Sequence, residues 1–462
     1  MNADLVSMWP SLRSTLLLAG RWGLTVVVLS LLAGSGSALF LWLLDVATRT
    51  QQSWWVWAWT LPFLGAISAW MYLLWGGESG RGNNLVIVEI QHPMRGLPWQ
   101  MAPLIFVATI LTHLGGGSAG REGTAVQMGA GFAGWWARWS RPWLGQDYRE
   151  TLLMGVAAGF GGVFGTPVAG AVFAGEVLAV GRLPTLALFP CLLAAIGADM
   201  VCVGLGGSHL HYHVNWQGLV AHSWPERLKL LGAVALLGLL AGLVGRGFAE
   251  TLHRLNRWYV KVLPGPVLRV VVGSFVVVAL AEWVVGRDYL GLGTTNIDPH
   301  AVTIGSCFHE GGAKTWSWLF KLVLTVLTLA CGLKGGEVTP LFFIGAALGN
   351  TFAVWTGLLP VDVAAAIGFV AIFAAATNTP LASSILAIEL FGTLRPEYAF
   401  IGCFTAWLVG GASSIYASQH RGDGKVLQEI NGHHPVAVNP QRDRLPQSEE
   451  GASPREPGRS SD

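Results

Sequence analysis

The chain has 462 residues and a formal net charge of +2, and it is 52% hydrophobic but only 12% charged. A soluble domain is roughly 25% charged, so this chain cannot cover a folded body of its size with a water-facing surface. The composition excludes an ordinary soluble protein, and the lack of a basic stripe excludes nucleic acid as a natural partner.

The chain reads as an all-α polytopic membrane protein. Its first apolar run, about 14–48, carries Arg21 and is far longer than the core of a signal peptide. Many more runs follow it, so it reads as retained rather than cleaved. A second run, about 54–76, opens on Trp54, Trp55 and Trp57. Indole rings favour the bilayer–water boundary, and these read as interface anchors. Further runs lie at about 102–117, 150–180, 184–206, 227–250, 265–286, 317–333, 340–359, 362–377 and 397–416. About 20 apolar residues span a bilayer core. Several runs are shorter and one is longer, which is typical of transporters built from broken helices. Broken backbone at membrane depth persists only where protein or a water-filled cavity covers it.

From about Arg421 the character changes. Residues 436–462 are rich in Pro, Ser, Glu and Arg, too polar to offset the entropy of ordering, and are expected to form a disordered aqueous tail. The membrane domain is expected over 1–435. Five cysteines, Cys191, Cys202, Cys307, Cys331 and Cys403, lie singly in mostly apolar surroundings. They form no CxxC pair and read as packing residues.

Two motifs occur twice, in the same order. Gly120-Arg121-Glu122-Gly123-Thr124 precedes a segment that starts at Thr166-Pro167 and ends at Glu176. Gly335-Gly336-Glu337-Val338-Thr339 precedes a segment that starts at Thr379-Pro380 and ends at Glu389. The matching order argues for an internal duplication, with halves at about 14–206 and 227–420. Repeats in a membrane chain place a substrate site where the halves meet.

Each motif opens a helix after a glycine-rich break. The free N–H groups and the positive dipole end of such a helix attract anions. A carboxylate placed there is held in place, is displaceable by another anion, and takes up a proton. Glu122 therefore reads as a gate and proton carrier. The plainer alternative is a helix-start charge that satisfies the dipole, but an ionisable group at membrane depth is a functional hypothesis by default. Glu337 repeats the design, with the Thr339 hydroxyl and the Val338 and Thr339 amides beside it. Gly80-Arg81-Gly82-Asn83-Asn84 is a third start of this kind.

The GREGT motif and the downstream Thr166-Pro167-Val168-Ala169-Gly170-Ala171-Val172-Phe173 segment resemble the CLC chloride channel and transporter family over about 14–420. That resemblance implies an inverted repeat of tilted and broken helices, and a homodimer with one anion pathway per subunit. It implies that Glu122 is the external gating glutamate and that the Val338 amide coordinates a central anion, with Gly123 beside it. The chain departs from the chloride-type pattern at GRGNN, GREGT and GGEVTP. In these it resembles the fluoride-exporting CLC-F branch, which carries a Glu and a Thr at the positions of Glu337 and Thr339. The usual anion-coordinating serine is replaced by Asn83 or Arg81, depending on the gap chosen, with Asn83 preferred. The internal proton-relay glutamate of chloride antiporters falls at Val177, next to Glu176. Coupling then uses another route, or Glu337 substitutes. The family's pore tyrosine corresponds to Tyr416.

Fluoride is small, hard and tightly hydrated, so a site for it needs close, strong donors. Thr339, the helix-start amides, Asn83 and a protonated carboxyl are candidates, and charge-assisted hydrogen bonds are the strong ones. The resemblance thus implies fluoride/proton antiport: export of fluoride from the cytoplasm, across the cell inner membrane, driven by the inward proton gradient. The alternative is a chloride or other halide transporter or channel of the same type. No cofactor or metal is expected. No nucleotide loop, HExxH or GxSxG motif supports an ATP-driven pump or an intramembrane enzyme. A purely structural membrane protein would leave the three glycine-rich loops unexplained.

Weaker signals remain. His209, His211 and His213 alternate and would make a metal site only with further ligands, so a polar loop is expected. Glu176 and Glu389 are repeat-related and read as structural, paired with backbone or arginine. Glu89 and Asp45 stand in apolar runs without a visible partner. Small residues at Gly402, Gly410, Gly411 and Ala412 permit close helix contact.

Overall fold

The computed structural model describes residues 12–145, 147–179, 184–210, 212–216, 223–392 and 395–419. The tail expected at 436–462 and His211 lie outside the described residues.

Fifteen α-helices follow one another among the described residues: α1 (Leu12–Ser53), α2 (Leu61–Met71), α3 (Asn83–Gln91), α4 (Met101–Leu114), α5 (Glu122–Leu144), α6 (Tyr148–Phe164), α7 (Pro167–Glu176), α8 (Thr185–Gly204), α9 (Trp224–Val262), α10 (Pro266–Leu280), α11 (Ser317–Ala330), α12 (Val338–Thr356), α13 (Val361–Thr377), α14 (Pro380–Phe391) and α15 (Pro396–Gly410). Among the described residues, six helical stretches are long and apolar enough to cross a membrane. Others, such as α7 and α14, are too short to cross alone.

Two long apolar runs are broken. The 54–76 run is a 3-10 turn (Trp55–Thr60), then α2, then a π turn (Tyr72–Gly76). It stops because Gly77 adopts φ +48°, a conformation open to glycine at little cost. The 150–180 run splits between α6 and α7. Gly165 ends α6 in the left-handed conformation, and Pro167 starts α7 at the position where a missing N–H costs nothing.

The centre of the molecule is α6 and α13. Every residue of α6 from Thr151 to Phe164, and of α13 from Val363 to Thr377, is buried. Both helices are apolar all round, as a helix with protein on every side requires. They are gripped the same way in each half. Gly129 of α5 lies against the backbone of Gly155 and Gly159 in α6, where an added Cβ would collide with a carbonyl. Gly345 and Gly349 of α12 lie likewise against Gly368 and Ala364 in α13. Small residues let helix backbones touch where lipid offers no hydrophobic drive for association.

The halves also exchange caps. Glu176, at the end of α7, accepts hydrogen bonds from the Leu381 and Ala382 amides (3.0 and 2.7 Å), which open α14. Glu389, near the end of α14, accepts from the Val168 and Ala169 amides (2.9 and 2.7 Å), which open α7. Each carboxylate thus satisfies two of the orphan donors at the other helix's start. Of the backbone or arginine pairing expected for these two glutamates, the structure shows backbone amides.

Candidate functional site

The two repeated loops meet. Gly120 and Gly336 pair as an antiparallel bridge, with N–H to carbonyl distances of 2.6 and 2.8 Å. Only glycine allows this approach: a Cβ on Gly120 would stand 2.9 Å from the Thr339 nitrogen, and one on Gly336 2.8 Å from the Gly123 nitrogen. The pairing brings the starts of α5 and α12 together.

Glu122 opens α5 and is 1% exposed. Its carboxylate bridges Arg121, the residue that caps its own helix, and the start of α12. Oε2 accepts from the Thr339 amide (3.0 Å) and from the Thr339 hydroxyl, and also from the Arg121 amide (3.2 Å). Oε1 accepts from Arg121 Nε (3.3 Å). A carboxylate oxygen therefore sits where the helix start and a hydroxyl offer donors to an anion. The loop is held from behind by buried polar contacts. His113 sets one ring nitrogen against the Ala119 carbonyl (3.1 Å) and the other against the Thr109 carbonyl (2.8 Å). Thr325 and Thr328 of α11 bond to Ser118.

Glu337, Asn83 and Gly123 converge. A Cβ on Gly123 would meet Asn83 Nδ2 at 3.1 Å and Glu337 Oε2 at 3.3 Å. Glu337 Oε2 and Asn83 Oδ1 are both buried without a hydrogen-bond partner. Buried polar atoms are nearly always bonded, so the unpartnered Glu337 Oε2 that faces Gly123 and the Asn83 Nδ2 mark a place open to a further species. Asn83, Glu337 and Tyr416 also line a cavity of about 510 Å³ that carries Arg81, Arg269 and Lys334. Lys334 donates to the Gly80 carbonyl (3.2 Å) and lies 4.5 Å from the centre of the Tyr72 ring. Arg81 is half-exposed and paired with Glu78, which leaves Asn83 as the polar side chain at the junction. Val338, at the start of α12, is buried beside Thr339.

Each sequence-predicted residue thus falls at the meeting of the two loops or on the cavity beside it. Several residues were not anticipated. Gln127 donates to the Gly123 carbonyl (3.1 Å) and lines the same cavity. Asn84 fixes the tyrosine segment by accepting from the Ser418 amide (3.0 Å). Lys321 is fully buried in α11 and donates to the Tyr289 and Gly291 carbonyls. One signal was present for Lys321: it is the only charged residue in the apolar run 317–333.

Three of the weaker signals, His209, Glu89 and Asp45, have local partners. His209 bonds to Asp199 (2.8 Å) and faces the Val163 carbonyl (3.2 Å). No cluster of three metal-ligating side chains occurs among the described residues. Glu89 gathers the Met94, Arg95 and Gly96 amides (3.2–3.3 Å) of the turn after α3. Asp45 pairs with Arg49 on the exposed face of α1. Val177 is buried at the end of α7.

The chain matches the family described as voltage gated chloride channel over residues 64–411. A chloride/fluoride channel protein of Pseudomonas syringae pv. tomato is 41% identical over 413 residues, covering 88% of this chain and 87% of its own length. A putative ClcB-like chloride channel protein of Ralstonia nicotianae is 30% identical over 327 residues, covering 65% of this chain and 70% of its own. The crystal structure of a CLC-type fluoride/proton antiporter superposes with a TM-score of 0.81 at 35% identity, covering 87% of this chain and 98% of that one. A slow cyanobacterial Cl-/H+ antiporter shares the fold, with a TM-score of 0.71 at 20% identity over 89% of this chain and 98% of that one. From the paired glycine-rich loops, the exchanged caps and these likenesses together, the chain belongs to the voltage-gated chloride channel (CLC) family, with its inverted repeat of tilted and broken helices.

Proposed function

We propose that this protein is a fluoride/proton antiporter that expels fluoride from the cytoplasm, across the cell inner membrane, in exchange for entering protons. One observation carries the reading: the Glu122 carboxylate occupies an anion seat built by Thr339 and Arg121. A carboxylate is a stand-in for a small anion. Fluoride displaces it from the amide and hydroxyl donors, and the displaced carboxylate takes a proton. Fluoride suits this seat because it is the halide with the greatest demand for short, strong hydrogen bonds. The names of the 41%-identical relative and of the 35%-identical structure support the assignment.

The remaining roles follow from position. Glu337, with an unpartnered oxygen and a place on the wall of the cavity of about 510 Å³, exchanges protons there, because Val177 at the end of α7 supplies no acid. The Val338 amide, the Thr339 hydroxyl and Asn83 hold fluoride, and Tyr416 closes the seat from the cavity. Arg81, Arg269 and Lys334 raise the local positive potential for anions arriving there. We assign the transport domain to residues 1–435, with repeat halves at about 14–206 and 227–420, a homodimeric assembly, and one pathway per subunit. The role is transport and not the making or breaking of covalent bonds.

The second reading is a chloride or other halide transporter or channel, favoured by the pairing of chloride with fluoride in the relative's name. Liposomes carrying the pure protein separate the two. Fluoride efflux coupled to proton uptake, far faster than chloride efflux, is expected. Equal chloride and fluoride rates would reject fluoride as the preferred ion, and efflux without proton uptake would reject antiport.

A further inference from the structure

Beside Glu122 and Thr339 lies a second cavity, separate from the larger one and open to a water-sized sphere over only about 10 Å³. That is room for about one water molecule. Arg121, Glu122, Thr294 and Thr339 contribute its polar wall. Four aromatic rings, Phe164, Tyr212, Phe342 and Phe369, contribute much of the rest.

These rings hold one another. Phe342 and Phe369 stack with centres 3.9 Å apart and planes 8° from parallel. Phe164 meets Phe342 edge-on at 5.5 Å. Tyr212 meets Phe369 edge-on at 5.8 Å and stacks on Phe308 at 5.1 Å. The four come from separate places in the chain: the end of α6, the segment after α8, α12 and α13. Phe342 and Phe369 are 1% exposed, so their rotamers are fixed by close packing. The contacts run as a chain from Phe164 through Phe342 and Phe369 to Tyr212, so the central stacked pair is braced on both sides. Phe342 stands three residues after Thr339 in α12, within one helical turn of the anion seat.

We propose that Phe164, Tyr212, Phe342 and Phe369 form a rigid aromatic throat that passes a bare fluoride from the Glu122 seat and rejects larger anions by size. An ion in a space of one water keeps little of its hydration shell, and the polar residues on the wall that can replace it are Arg121, Glu122, Tyr212, Thr294 and Thr339. Fluoride, the smallest halide, crosses without moving the rings. Chloride and bromide have to spread a stacked pair tied into four elements. The donors at Thr339 then set how strongly an anion is held, and the throat sets which anions get through.

This inference rests on the transport reading above, and its test keeps the two apart. A halide series through the wild-type protein in liposomes needs no variant. Turnover falling from fluoride to chloride to bromide is expected, and bromide crossing as fast as fluoride would overturn the throat. Phe342→Leu and Phe369→Leu each open the space while leaving Glu122, Thr339 and Arg121 in place. The chloride-to-fluoride turnover ratio is expected to rise at least roughly tenfold in each, the scale at which a pocket discriminates one or two carbon atoms. An unchanged ratio in a variant that still moves fluoride would overturn the proposal. A wild-type protein that moves no fluoride at all would sink the transport reading instead.

Discussion

The Glu122 side chain bonds to Thr339, 217 residues further along the chain, through both the amide and the hydroxyl of that one residue. The gate of one half is thus latched onto the helix start of the other, and either end of the latch can be cut separately.

Glu122→Gln cuts the carboxylate end. The amide keeps the shape but carries neither negative charge nor exchangeable acid. Proton uptake coupled to fluoride efflux is expected to disappear, and fluoride movement to become passive or to stop. Simultaneous pH and fluoride-electrode traces from proteoliposomes check this. Coupled proton uptake at the wild-type ratio would remove Glu122 from the proton route.

Thr339→Val cuts the hydroxyl end and nearly conserves volume. A hydrogen bond to a charged group contributes about 1.5–3 kcal/mol, so fluoride turnover is expected to fall about 10–100-fold. The backbone amide is retained, and the lost bond to Glu122 is expected to lower the Tm in detergent without unfolding the protein. Wild-type fluoride rates in this variant would show that the hydroxyl does not serve the ion.

Gly123→Ala tests the convergence of Asn83 and Glu337. The added methyl would stand 3.1 Å from Asn83 Nδ2 and from the Gly336 Cα, and 3.3 Å from Glu337 Oε2. Overpacking of this kind costs about 1–3 kcal/mol. Loss of fluoride transport is expected, with a folded protein still recoverable by size-exclusion chromatography. Normal transport would mean that nothing needs to pass between those two side chains.

Glu176→Gln and Glu389→Gln test the exchanged caps. A Gln carbonyl can accept from one amide, but its NH₂ then faces the other donor. Each variant is expected to lose about 1.5–3 kcal/mol of stability, seen as a lower Tm in detergent. A Tm unchanged in both would show that the caps do not hold the halves together.

The glycine-rich loops and their glutamates were legible because glycine runs, charge and an apolar background all carry signal along the sequence. So was the duplication, since Glu122 and Glu337 recur in the same order as the two Thr-Pro segments. Partners across the halves were not. Glu176 and Glu389 were legible as paired with backbone or arginine, but not with which, because their donors lie 205–206 and 220–221 residues away. The caging of Glu89 by three amides escaped notice for another reason: periodicity describes helices, and its partners lie in an irregular turn. The change from 3-10 to α to π turns inside the 54–76 run was missed because hydropathy counts apolar residues and does not register backbone dihedrals.

The crossed glutamates have a consequence for how the molecule is put together. In lipid, apolar helix faces gain little by leaving the hydrocarbon for one another, so greasy surface alone does not fix how one half is rotated against the other. Two carboxylates that each fit only the opposite helix start act as a pair of keys, cut for one alignment. A half made alone would leave its own Thr-Pro helix uncapped and its own glutamate with no lock to enter. The alignment that seats both keys is the one in which Gly120 meets Gly336, so the same fit that joins the halves also assembles the ion's path.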